Sequence, residues 1–74
     1  MLILTWLNSR GQVVMDHGTP VSLSVINDNE AGLTFLKNRM AILAHENPDT
    51  NYAIVRPAYQ IIQRTGEPQH PCGT

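Results

Sequence analysis

The chain has 74 residues, 42% of them hydrophobic and 15% charged, with a formal net charge of −1. That length supports one core rather than two, and a domain so small buries only roughly 60% of its unfolded surface, so association with a second molecule relieves a marginal fold. Five basic residues against six acidic ones argue against a protein built mainly to neutralise nucleic-acid phosphates, which carries a strong basic excess.

The opening run MLILTWL is apolar over residues 1–7. It lacks a basic flank, a full apolar core and a small-residue cleavage site, so no signal peptide is expected. No stretch approaches the roughly 20 apolar residues of a membrane span. The single cysteine, Cys72, has no partner within the chain for a disulfide and suits a reducing compartment. A cytoplasmic location is therefore expected, without membrane association.

Residues 2–7 and 12–17 flank Asn8-Ser9-Arg10-Gly11, two apolar runs around four turn formers, which predicts a hairpin. Leu2, Leu4 and Trp6 share one face of the first strand and Ile3, Thr5 and Leu7 the other. Both faces are mainly apolar, as a central strand requires. Gly18-Thr19-Pro20 turns the chain. Val21, Ser22, Leu23, Ser24 and Val25 alternate, so a half-buried strand with Val21, Leu23 and Val25 toward the core is expected.

Asn27, Asp28 and Asn29 each suit a helix cap, and Glu30 suits the first turn, where the macrodipole favours negative charge. The helix is predicted over residues 30–46, stopping at Asn47-Pro48 because the residue before a proline disfavours helical angles. Strands are predicted at residues 52–55 and 59–63, with Pro57 at a strand end, an edge or a bulge. Gly66 onward carries repeated Gly and Pro, so residues 66–74 are expected as a flexible tail. The prediction is an α+β domain over residues 1–65, one helix packed on an antiparallel sheet of about four strands.

Placed around a helical axis, Leu33, Leu36, Met40, Leu43 and Ala44 fall within an arc of about 100°. Ala31, Phe35 and Ile42 cluster in an arc of about 40° nearly opposite, with Asn38 beside them and Arg39 between the two stripes. A helix apolar on two sides is buried on two sides. The second side, Ala31, Phe35, Asn38, Arg39 and Ile42, is therefore the candidate interface; a two-fold homodimer is the expected use, and a face kept for a host protein is the alternative.

The other chemistry-bearing residues suggest little. His17 follows Asp16, but strand neighbours point to opposite faces and are not expected to meet. His45 suits the helix C-terminus. His70-Pro71-Cys72 offers two ligand types where structural zinc needs about four at defined spacing. Gly18-Thr19-Pro20 lacks the Gly-x-x-x-x-Gly-Lys frame of a phosphate loop. No nucleophile and base stand together, so no catalytic residue, metal or cofactor is predicted, and the chain is not expected to be an enzyme. Tyr52, Arg56, Tyr59 and Arg64 are a candidate partner-binding rim, since Tyr and Arg are enriched at binding hot spots.

The phrases SRGQVVMDHGT and ILAHENPDTNYAIVRP resemble a pattern found in small hypothetical proteins of tailed bacteriophages, through Gly11, Val13, Val14, Gly18, Thr19, Leu43, Ala44, Asn47, Pro48, Tyr52, Ile54 and Val55. The resemblance spans roughly half the chain, and VSLSVINDN is inserted where the helix of that pattern follows the turn at once. It implies a phage or prophage origin, and with it the host cytoplasm. A non-enzymatic binding protein that inhibits a host protein or complex is then expected, as an anti-defence factor such as an anti-CRISPR or as a host-takeover protein. Two other roles remain open from the sequence: an oligomer sequestering a small ligand or nucleotide between Arg and Tyr residues, and a structural or assembly accessory protein.

Overall fold

The computed structural model describes residues 1–65, which form one helix on a four-stranded antiparallel sheet. The elements are β1 (Leu2–Leu7), β2 (Met15–Asp16), β3 (Thr19–Pro20), β4 (Ser24–Ile26), α1 (Glu30–Glu46), β5 (Asn51–Arg56) and β6 (Gln60–Arg64). The sheet order is β4-β1-β5-β6, and β2 and β3 form a separate two-stranded ribbon. Strand β1 lies centrally, as its two apolar faces require. Both β4 and β5 run antiparallel to it, hence parallel to each other, and α1 carries the chain from one to the other across β1 as a split βαβ unit.

Helix α1 forms where local signals agree. The Asn29 side chain accepts a hydrogen bond from the Gly32 amide at 2.7 Å, and Asn47 closes the far end by donating to Leu43 O through its backbone amide at 2.9 Å and through Nδ2 at 3.1 Å. Its core stripe meets Leu2, Leu4, Tyr52 and Ile54 of the sheet through buried Leu36 and Met40 and half-buried Leu33, Leu43 and Ala44. Ile26 and Ile62 flank this cluster. In β6 the register shifts opposite Ile54 and Val55, and the extra residue lets Ile62 reach the helix side.

The first hairpin departs from the predicted one. Asn8 holds the turn by accepting from the Arg10 and Gln12 amides through Oδ1, and Gly11 takes a φ of 76° there. The returning chain meets β1 only at a Leu7–Val13 bridge. It then leaves the sheet as the β2–β3 ribbon, around His17 and Gly18 at φ 54° and 82°, a left-handed pair that suits a tight two-residue hairpin.

The chain rejoins β1 through a bond from the Leu23 amide to Leu4 O, and β4 pairs Leu2 with Ile26 and Ile3 with Val25. This register puts Ile26 on the helix side. Leu23 and Val25 do not face the core as expected but stand 41% and 54% exposed, because residues across from one another share a face and a one-residue offset reverses it. Val21 is half-buried.

On the sheet face away from the helix, Ile3, Thr5, Leu7, Ala53 and Val55 are buried, none more than 5% exposed. Pro57 follows β5 at its end, as predicted. The expected tail, with His70 and Cys72, lies outside the described residues.

Candidate interaction surface

The two sides of α1 separate as their spacing requires. Phe35 is 51% exposed and Ile42 56%, two turns apart on the side away from the sheet. Ala31, Asn38 and Arg39 are exposed with them. Among the described residues nothing shields these two large apolar side chains, and paired exposed apolar groups mark a contact more often than scattered single ones do.

The four residues of the candidate rim do not come together. Tyr52 is buried under the helix as part of the core, because its pairing with Trp6 in β1 puts it on the helix side. Arg56 turns to Asp28, donating through Nε at 2.6 Å and Nη2 at 3.1 Å. Tyr59 sits in the β5–β6 turn at φ 64°, partly exposed. Arg64 is paired with Ala53, on the sheet face away from the helix. Among the described residues, Tyr52 is thus taken up by the core and Arg56 by Asp28.

The Arg56–Asp28 contact is a clamp between the end of β5 and the residue before the helix cap. Its bidentate geometry is the strong form of a carboxylate–guanidinium pair. The hydrogen bond from Arg56 is the main cause that lowers the Asp28 carboxyl below its ordinary value of 3.8, with desolvation opposing it. The same bond raises the Arg56 guanidinium. Both side chains remain substantially exposed, so the clamp orients the loop more than it stabilises the fold.

His17 corrects another expectation. Its Nε2 lies 3.4 Å from Asp16 Oδ1, because the left-handed turn breaks the strand alternation that would have separated them. Both side chains are open to solvent, and no third group orients the pair, so general-base geometry is missing. His45 is exposed in the last turn of α1. Among the described residues no three His, Cys, Asp or Glu side chains converge as a metal site, and no helix is long and apolar enough to cross a membrane.

Two features escaped sequence reasoning. Leu23 and Val25 make a second exposed apolar patch on the β4 edge, visible only once the register with β1 is known. Thr5 Oγ1 and Arg64 Nε are both buried without a hydrogen-bond partner, and only the pairing across β5 places them on one row. No protein-family model, curated protein or solved structure matches this chain.

Proposed function

We propose that the protein is a non-catalytic binding protein that works as a two-fold homodimer, joined through the outer face of α1. The observation that carries this reading is the exposure of Phe35 and Ile42 two turns apart on a helix whose opposite side already fills the core. A two-fold axis across α1 sets each Phe35 and Ile42 against its copy, and the interface is then the same patch on both subunits. Arg39 and Asn38 supply a polar border around an apolar centre, the ordinary layout of a contact surface.

The dimer leaves the β4 edge free, where Leu23 and Val25 offer apolar surface to a further partner. On the strength of the resemblance to small phage proteins, that partner is a host protein or complex, and the activity is inhibition in an anti-defence or host-takeover role. The protein would then act in the host cytoplasm. This is tested by expressing the chain in host strains that carry active defence systems and measuring phage plating. The wild type is expected to raise plating on at least one such strain, and a Leu23→Asp/Val25→Asp variant that keeps its dimeric mass is expected to lose the effect. No gain in plating on any defended strain contradicts the inhibitory role.

A further inference from the structure

Of the two edges of the four-stranded sheet, one is guarded and the other is open. Strand β6 forms the first; it carries Arg64, and its pairing with β5 shifts register between Ile54 and Val55. A charge and a bulge are devices by which native edges resist further pairing. Strand β4 forms the second edge, with no strand beyond it. Its register with β1 runs unbroken from Leu2 opposite Ile26 to Leu4 opposite Ser24. Residues 21–27, VSLSVIN, contain neither a charge nor a proline, so none of these devices protects it.

This edge offers two kinds of contact at once. An outermost strand presents a row of unpaired backbone N–H and C=O groups. Beside that row, Val25 is 54% exposed and Leu23, just before the strand, is 41% exposed. An apolar patch alone accepts any apolar surface. A row of free backbone groups next to it is matched by one geometry, an extended chain lying alongside. Val25 is also β-branched, the class of side chain that packs best against a cross-strand neighbour.

Charge narrows the occupant further. The first charged residue after the strand, Asp28, is already held by Arg56 Nε at 2.6 Å. A charged side chain brought against Leu23 or Val25 would lose its water without gaining a partner. The complement of this edge is therefore uncharged, with apolar or β-branched side chains at alternate positions, the period of a strand face.

We propose that the β4 edge binds an extended, uncharged segment of a partner polypeptide as an added strand of the sheet. The proposal rests on the reading of this edge as the surface left for a host partner, and it specifies how that partner is held. With three residues in β4, the added pairing is short, so backbone bonds set the register and the contacts of Leu23 and Val25 set the preference for apolar side chains.

The test is a titration of the 15N-labelled full chain with a short capped peptide of alternating threonine and valine. The control is the same peptide methylated at its internal amides, which keeps the side chains and removes the donors. The unmodified peptide is expected to shift the amide resonances of Ser24, Val25 and Ile26 saturably and to slow hydrogen exchange in that strand by roughly tenfold or more. The methylated peptide is expected to give no response, and Val25→Asp, with its circular dichroism unchanged, is expected to weaken binding by roughly tenfold or more. Unmoved resonances at millimolar peptide, equal binding of the methylated peptide, or shifts confined to Gln60–Arg64 overturn the proposal. A wild-type mass in solution that falls on introducing Val25→Asp also overturns it, by giving the edge to a second copy. The titration contains no host component, so its failure strikes the strand mode of binding and leaves the plating assay to decide the inhibitory role.

Discussion

Gly32 shows how much a single position can decide. It is buried in the first turn of α1, and a Cβ there would overlap Asn27 O and press on Ile26 Cγ2 at 3.2 Å and Asn29 Oδ1 at 3.3 Å. Alanine gains about 1 kcal/mol over glycine as a helix former, but overpacking against backbone costs about 1–3 kcal/mol. Gly32→Ala is expected to lower the Tm by several degrees, measured by thermal unfolding. Asn29→Ala removes the acceptor for the Gly32 amide and is expected to cost about 1 kcal/mol in a denaturant titration. The Asp28 carboxyl titrates below its ordinary value of 3.8 in the folded chain, so its pair with Arg56 stabilises above that value and is lost as pH falls through the folded pKa. The stability difference between wild type and Asp28→Asn is therefore expected at neutral pH and should vanish on acidification below the carboxylate range. Of these positions the cap was legible in Asn27-Asp28-Asn29. The Arg56 clamp joins residues distant in sequence and left no local trace. His17 meeting Asp16 required a left-handed backbone that strand alternation gave no reason to expect.

At the scale of elements, α1 was readable because caps, dipole and periodicity agree over residues 30–46, and β5 because four successive apolar or aromatic residues precede Arg56-Pro57. Strand β4 was misread for an identifiable reason. The alternation of Val21, Leu23 and Val25 is real, but its phase relative to the core depends on where the chain rejoins β1 after the β2–β3 ribbon. Ile26, opposite Leu2, took the core position that the alternation had assigned to its neighbours. The faces that Tyr52 and Arg64 occupy were hidden in the same way, since they follow from strand pairing and not from residue type. The two sides of α1 make opposite predictions. Leu36→Ala empties a fully buried position and is expected to cost about 2–5 kcal/mol, seen as a lower Tm at every protein concentration. Phe35→Asp alters no core contact and is expected to remove the concentration dependence of Tm while leaving its dilute limit nearly unchanged.

At the scale of the whole molecule, the described residues form one helix, a four-stranded sheet and a two-stranded ribbon, with apolar surface on the outer helix side and at the β4 edge. In the proposed dimer a second copy would cover the first of these and enlarge the apolar area removed from water, which would lift a chain of this length above marginal stability. A net charge of −1 sets no long-range repulsion against that approach. The most direct test is light scattering coupled to size exclusion on the wild type and on Phe35→Asp/Ile42→Asp. The wild type is expected at twice the 8.2 kDa chain mass, and the variant at that mass with unchanged far-ultraviolet circular dichroism. A monomeric wild type, or a folded variant still at twice the chain mass, contradicts the assignment of the outer helix face as the dimer interface.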